Sequence, residues 1–198
     1  MALLSNAGRS ASVLGMELPL AACLVALDVV ARLAPHAPNF TPIAASAVFA
    51  GMIFRNRALA LAVPLLAMLL SDAFLGSYDW RIMSVVYASL ALPALLGMWG
   101  REFRATIVLA PVVLSSSLIF FATTNFAVWA FSGMYPKDLD GLIHCYIAAL
   151  PFLQNTVTGD LFWTAILFGV WWVAKLLLPT AQVRGCAGVS SVAPRLAA

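Results

Sequence analysis

The side chains with the most potential for chemistry are concentrated in residues 121–160, where polar, aromatic and ionisable residues lie between two long apolar runs. Amide side chains in such surroundings need hydrogen-bond partners, and they can fix the donor and acceptor edges of a planar heterocycle. Aromatic faces nearby could cover the same kind of ligand. The stretch is therefore predicted to form much of a binding site. Its candidate ligand-binding residues are Asn125, Trp129, Tyr135, His144, Asn155 and Asp160.

Four further candidates lie earlier in the chain, at or just beyond the ends of predicted helices. They are Arg32, His36, Asn39 and Asp72. Asp72 directly follows a long apolar run, and an ionisable group at the edge of lipid is costly unless it has a partner. Arg32 could pair with Asp72 and so hold the helices together, or it could pair with Asp28, four residues earlier on its own helix face. In the alternative interpretation, Arg32 or Asp72 binds a polar group of a ligand.

Metal binding and catalysis are not predicted. His144 and Cys145 are adjacent, so on a helix their side chains would point about 100° apart, which suits a single metal ion poorly. The sequence has no Walker A, GxSxG or HExxH motif, and its cysteines have no CxxC or Cys/His ligand spacing. We therefore expect no metal, no cofactor and no enzymatic activity. A third-ranked alternative is a membrane enzyme with an acid/base site built from His36, Asp72, Asp79 and His144.

The composition is that of an integral membrane protein. Apolar residues make up 63% of the chain and charged residues 10%, whereas an ordinary soluble domain has about 45–50% and about 25%. A membrane-spanning helix needs about 20 mainly apolar residues. The formal charge is +3, but the basic residues are scattered singly in loops. This pattern indicates membrane topology, so a lipid bilayer is expected as a partner and nucleic acid is not.

The hydropathy pattern predicts an all-α fold, a six-helix membrane bundle. The spans are predicted at residues 16–33, 41–54, 58–75, 82–99, 105–131 and 156–178. Residues 135–153 are too polar at their start and too short to cross, so a short interfacial or re-entrant helix at about 141–150 is predicted before the last span. The six-span domain thus covers residues 16–178. It is preceded by a disordered leader, residues 1–15, and followed by a disordered cytoplasmic tail, residues 179–198.

The second predicted span carries small residues at helical spacing. Ser46 and Ala50 form one small-xxx-small pair, and Ala47 and Gly51 form another. Such pairs allow two helices to approach closely. This span is therefore predicted to lie inside the bundle.

The distribution of Lys and Arg predicts the orientation. Eight basic residues fall on one side of the six-span arrangement and three on the other. The eight are Arg9, Arg55, Arg57, Arg101, Arg104, Lys175, Arg184 and Arg195, and the three are Arg32, Arg81 and Lys137. Both termini are therefore expected in the cytoplasm. This orientation places the candidate site residues at the outer ends of the helices, in a polar basin above a dry inner half.

Five segments resemble a bacterial family of small, uncharacterised membrane proteins usually described as transport proteins. They are PNFTPIAASAVFAG (38–51), LLSDAFLG (69–76), TTNFAVWAFSGMYPK (123–137), CYIAALPFLQNT (145–156) and GDLFWTAILFG (159–169). The resemblance covers roughly residues 18–172. More distantly, the chain is similar in size and span number to the S components of energy-coupling-factor (ECF) transporters. That resemblance implies six helices, a vitamin bound from outside, and an ATPase-driven membrane partner.

These observations lead to two functional hypotheses. The leading one is a membrane-embedded substrate-binding subunit of an uptake system for a small, vitamin-like molecule, located in the bacterial cytoplasmic membrane. Its pocket would open to the outer side, and an energising partner subunit would complete the system. The alternative is a non-catalytic assembly or scaffold subunit of a larger membrane complex. An outer cavity filled by the protein's own side chains would favour the alternative.

Overall fold

The computed structural model describes residues 2–103 and 105–177, which form six α-helices and no β-strand. The helices are α1 (Ala2–Leu33), α2 (Ile43–Ile53), α3 (Arg57–Leu75), α4 (Trp80–Gly100), α5 (Ala105–Phe131) and α6 (Leu139–Leu177). The all-helical class is confirmed. Four stretches are long and apolar enough to cross a membrane, namely Arg57–Leu75, Trp80–Gly100, Ile107–Phe131 and Leu139–Leu177. Their length and composition are those of a membrane protein.

Short polar turns set the boundaries between the middle helices. The side chain of Asn56 accepts hydrogen bonds from the backbone N–H groups of Ala58 and Leu59, at 3.0 and 3.2 Å, and so caps the start of α3. The helix ends at Gly76, whose φ of 93° is readily adopted only by glycine. Asp79 then caps α4 by accepting from the backbone N–H of Arg81 at 2.8 Å. These caps explain why the polar turns in the sequence locate the helix ends closely.

Helix α2 lies at the centre of the bundle, as its small residues predicted. Nine of its eleven residues are buried, and the helix packs against all the others. Its closest partner is α4, where a β-carbon on Gly97 would lie 2.5 Å from the carbonyl oxygen of Val48. Eleven residues span only about 16 Å, about half of the roughly 30 Å hydrocarbon core of a bilayer.

The last helix differs from its prediction. The short helix predicted at 141–150 and the span predicted at 156–178 are parts of one continuous helix, α6, which passes through Pro151. Proline is tolerated in apolar helices because side chains can satisfy the freed backbone groups. After the proline, the hydroxyl of Thr156 donates to the carbonyl of Phe152 at 2.8 Å, so this polar side chain is satisfied within the same helix. The prediction of two separate helical segments was therefore wrong.

The predicted leader and tail can be compared with the two ends of the described chain. Helix α1 begins at Ala2, so the first helix starts well before residue 16 and includes the stretch predicted as a leader. Residues 179–198, predicted as a disordered tail, lie outside the described residues.

Two charged side chains secure the bundle at the end where α2 finishes and α3 begins. The carboxylate of Glu17, on α1, accepts from the backbone N–H groups of Arg55 and Asn56 at 2.6 and 3.2 Å. The guanidinium of Arg101 donates to the carbonyl of Phe54 at 3.0 Å. Both contacts satisfy backbone groups that a helix end leaves without intrahelical partners.

Candidate functional site

A cavity of about 420 Å³ lies at the opposite end of the bundle, where α1, α3 and α5 end and α2 and α4 begin. Helix α6 closes it with residues after Pro151. The apolar part of the lining includes Ile43, Met68, Val86, Leu90, Phe120, Val128 and Phe152. The polar part consists of Arg32, His36, Asn39, Thr41, Tyr78, Thr124, Asn125, Thr156 and Asp160. The volume lies within the range of about 300–1,000 Å³ that is usual for small-molecule sites.

The floor of the cavity is a small apolar cluster. Ile43, Met68 and Leu90 are buried against one another, and they bring together α2, α3 and α4. Phe120 packs on this cluster from α5. Below the floor, α2 and α4 are in close backbone contact, so the cavity has no room to extend along their interface.

Arg32 forms one wall and is held by three groups on α3. Its Nη2 lies 2.7 Å from Oδ1 of Asp72, and its Nη1 donates to the hydroxyl of Ser71 at 2.8 Å. The same nitrogen lies 2.8 Å from the sulfur of Met68. Asp72 also accepts a hydrogen bond from the hydroxyl of Tyr87 at 3.0 Å. Of the two pairings open to Arg32 in the sequence, the structure has the one with Asp72.

Asp160 forms the α6 side of the cavity and has a neutral partner. Its side chain is buried, with 3% of the residue exposed, and Oδ2 accepts from the hydroxyl of Ser117 at 2.6 Å. Asp28 has the same arrangement elsewhere, because it is fully buried and accepts from the hydroxyl of Ser46 at 2.5 Å. Asp28 does not line the cavity. The described part of the chain therefore holds two buried Asp–Ser pairs, of which one faces the cavity.

The mouth of the cavity carries exposed polar groups. Nδ1 of His36 lies 2.7 Å from the carbonyl oxygen of Ala34, within hydrogen-bond distance. Asn39 adopts a φ of 65°, in the left-handed region that asparagine tolerates better than most residues. The pKa of the Tyr78 hydroxyl is raised, chiefly by burial of its ring and then by the nearby charge of Asp72. Tyr78 is therefore a neutral hydrogen-bonding group at ordinary pH.

Asn125 lines the cavity from α5. Its Nδ2 donates to the carbonyl of Phe121, one turn earlier, at 2.7 Å. This bond orients the amide and leaves its oxygen as an acceptor. Thr124, its neighbour on α5, also lines the cavity, with its hydroxyl donating to the carbonyl of Phe120 at 2.7 Å.

The structure brings together five of the ten residues predicted to bind a ligand. Arg32, His36, Asn39, Asn125 and Asp160 line the cavity, and Asp72 lies directly behind Arg32. The other four lie outside the lining: Trp129, Tyr135, His144 and Asn155. The indole of Trp129 donates to the carbonyl of Pro136 at 2.9 Å, and His144 lies at the surface, 3.2 Å from Asp140. Because α6 is continuous, His144 is about 18 Å along the helix from Thr156.

Several residues at the cavity were not among the residues predicted to bind a ligand. Thr124, Thr156 and Tyr78 line the cavity, and Ser117 holds Asp160. A serine in the middle of an apolar span was the available signal for Ser117, since such a hydroxyl often pairs with a polar group on a neighbouring helix. Metal ligands are not clustered in the described part of the chain, where no three His, Cys, Asp or Glu side chains could hold one ion.

Comparison with known proteins gives one family. A family model described as a family of unknown function (DUF6580) matches residues 14–181. Searches of curated proteins and of solved structures give no significant match.

Proposed function

The chain belongs to DUF6580, and because this is a family of unknown function, we propose the function from the cavity: a membrane-embedded subunit that captures a small molecule for uptake. The molecule enters from the non-cytoplasmic side and binds between the helix ends. The observation that carries the proposal is an open cavity of about 420 Å³ with a polar rim and an apolar floor. A small solute with a mostly apolar body and a few polar groups fits such a lining.

The same observation favours capture over a scaffold. A subunit that only packs against a larger complex has no need for an open cavity, lined by several of its helices, within its own bundle. Here the space is bordered by hydrogen-bonding side chains on several helices, including Asn125, Thr124 and Asp160. Thr124 and Asn125 donate to their own helix at 2.7 Å each, so their oxygens can accept from a ligand.

The orientation follows from the basic residues. Arg55, Arg57 and Arg101 lie at the end of the bundle opposite the cavity. By the positive-inside rule, that end faces the cytoplasm and the cavity faces outward. We place the protein in the bacterial cytoplasmic membrane as a six-span subunit with both termini inside.

The source of energy lies outside this chain. The sequence contains no nucleotide-binding motif, so concentrative uptake would need a partner, as in the ECF transporters that the sequence resembles. Helix α2 is about 16 Å long and completely surrounded. A rigid centre of this kind suits a subunit that moves as one body on its partner. The proposed role is binding rather than catalysis.

The first experiment is native mass spectrometry of the protein gently extracted from its own membranes. A retained small molecule would support capture and identify the substrate. The matched variants are Val128→Trp, which fills the cavity, and Val170→Trp, on the lipid-facing surface of α6, where Val170 is 66% exposed. We expect the small molecule to be lost from Val128→Trp and kept by Val170→Trp. A wild-type protein that carries no small molecule but stays bound in a larger complex would contradict capture and favour the scaffold.

A further inference from the structure

The charges that line the cavity do not balance. Arg32 is the cationic side chain of the lining, and its charge is offset by Asp72 at 2.7 Å. The hydroxyl of Tyr87 donates to the other oxygen of Asp72, so this carboxylate is held from two sides. The pair as a unit therefore carries no net charge toward the cavity.

Asp160 has no comparable cationic partner in the part of the chain that the structure describes. Among the described residues its hydrogen-bond partner is Ser117, whose hydroxyl is neutral and fills one carboxylate oxygen at 2.6 Å. Both residues are buried, with 3% and 0% of their surface exposed. A charge taken out of water is strongly unfavourable unless an opposite charge or several hydrogen bonds compensate it. Among the described residues, the cavity therefore presents a buried carboxyl group without a counter-charge, and a cation bound beside it would favour its ionised form.

We propose that the molecule bound in this cavity carries a positive charge, as a protonated amine or a cationic nitrogen ring, and that Asp160 is its counter-ion. The proposal rests on the proposed capture function and specifies its substrate class. The cationic group would contact the free oxygen of Asp160, while Ser117 holds the other oxygen and fixes the orientation of the carboxylate. Arg32, already paired with Asp72, would add no net charge to the site.

The remaining lining suits the rest of such a molecule. Phe120, Val128 and Phe152 border the cavity and offer an apolar surface to a planar or hydrocarbon body. Aromatic rings also attract cations through their faces. The amide oxygen of Asn125 can accept a hydrogen bond from an N–H group of the ligand.

Asp28 supplies a matched control. It is a buried aspartate that accepts from a serine on a neighbouring helix, as Asp160 does, but it lies outside the cavity lining. Asp160→Asn and Asp28→Asn remove the same charge and keep an oxygen that can accept from the serine. A general effect of losing a buried carboxylate on folding would appear in both variants. An effect on ligand charge preference should appear only in Asp160→Asn.

The test measures binding of three probes that differ in charge but share a ring system. They are tryptamine, which is cationic, tryptophol, which is neutral, and indole-3-acetate, which is anionic. Binding to the purified full-length protein in lipid nanodiscs is followed by calorimetry. We expect tryptamine to bind at least about tenfold more tightly than tryptophol, the size of one charge-assisted hydrogen bond. Asp160→Asn should abolish that preference, and Asp28→Asn should keep it.

Three outcomes would overturn the inference. Equal binding of tryptamine and tryptophol to the wild type would mean that Asp160 provides no charge selectivity, and capture of small molecules would survive as the function. Tighter binding of indole-3-acetate would also reject Asp160 as the counter-ion, and it would indicate that Arg32 binds the anionic group of the ligand. Failure of all three probes to bind, together with no retained small molecule in native mass spectrometry, would reject both the inference and the proposed function.

Discussion

Nη2 of Arg32 lies 2.7 Å from Oδ1 of Asp72, so an ion pair joins the last turn of α1 to the end of α3 beside the cavity. Only 18% of the arginine side chain and 4% of the aspartate side chain are exposed. In such a setting each charge depends on the other for compensation. The pair therefore supports the cavity wall as well as its charge balance.

Removing either partner of this pair alone should lower the free energy of unfolding by more than half of the loss caused by removing both. Arg32→Ala or Asp72→Ala alone leaves a largely buried charge unpaired, for which a loss of about 3–5 kcal/mol is typical. The double variant leaves neither charge, so its loss should be clearly smaller than the sum of the two. A double-mutant cycle of the free energy of unfolding in lipid bicelles measures the difference. Strict additivity would show that the two side chains are not coupled.

Tyr87→Phe is a milder test of the same network. It removes the hydroxyl that donates to Asp72 at 3.0 Å but keeps the ring. We expect a loss of about 1–2 kcal/mol in the free energy of unfolding, because the acceptor is charged and keeps Arg32 as a partner. The same unfolding measurement applies, and a loss as large as that of Arg32→Ala would place the tyrosine, not the arginine, at the centre of the network.

Gly97→Ala should destabilise the bundle severely. The new β-carbon would lie 2.5 Å from the backbone oxygen of Val48, which cannot move without displacing α2. Overpacking of this kind typically costs about 1–3 kcal/mol or more. Gly169→Ala is the matched control, since it is also in a helix and has no atom within 4 Å of the new carbon. Thermal unfolding should show a large drop for Gly97→Ala and none for Gly169→Ala; equal effects would refute the close contact.

Glu17→Ala should weaken the end of the bundle opposite the cavity. It removes the carboxylate that accepts from the backbone N–H groups of Arg55 and Asn56. Hydrogen bonds to charged groups contribute about 1.5–3 kcal/mol. Glu102→Ala is the control, because Glu102 is exposed, and exposed changes usually stay within about 0.5 kcal/mol. Chemical unfolding of both variants measures the contrast, and similar losses would argue against the Glu17 contact.

The arrangement of α2 to α5 follows closely from the sequence because each boundary has a local cause. Apolar runs of span length are separated by short polar turns, and residues such as Asn56 and Asp79 cap the next helix with their own side chains. The central place of α2 was also predictable. Its small residues allow close approach from any side, and only an interior helix benefits from that on all its faces.

The continuity of α6 was not predictable in the same way. A proline and a run of polar residues normally indicate a helix end, and here that signal is offset by contacts within and between helices. The hydroxyls of Thr156 and Thr158 donate hydrogen bonds to backbone carbonyls one turn earlier. Gly159 gives the room for Phe40 to pack against the helix. Such compensation depends on tertiary neighbours that are distant in the sequence.

The sequence predicted at which end of the bundle the site residues lie, but it did not predict which face of each helix lines the cavity. Arg32, Asn125 and Asp160 were expected at one end of the bundle, and all three line the cavity. Asn155 was expected as well, but its neighbour Thr156 faces the cavity instead. Adjacent residues on a helix point about 100° apart, so helix rotation decides between them. That rotation is set by packing, which a single sequence does not reveal.

Asp79 should stay ionised in acid well below the usual range for aspartate. Its hydrogen bonds with Arg81 lower its pKa to about 2, against about 3.9 in an unfolded chain. The folded pKa is the lower one, so the contribution of Asp79 to stability is present above about pH 4 and is lost as the pH falls toward 2. Carbon-13 NMR of the aspartate carboxyl groups can follow this titration directly.

Arg81→Gln tests the cause of that shift. It removes the side-chain bonds of 3.1 and 2.7 Å to Asp79 and also the guanidinium that lies over the ring of Phe131. The backbone N–H of residue 81 remains as a donor. We therefore expect the pKa of Asp79 to rise toward its usual value without reaching it, whereas Phe131→Leu, which alters only the ring contact, should leave it unchanged. If the pKa of Asp79 stayed near 2 in Arg81→Gln, its lowering would be due to the start of helix α4 and not to the Arg81 side chain.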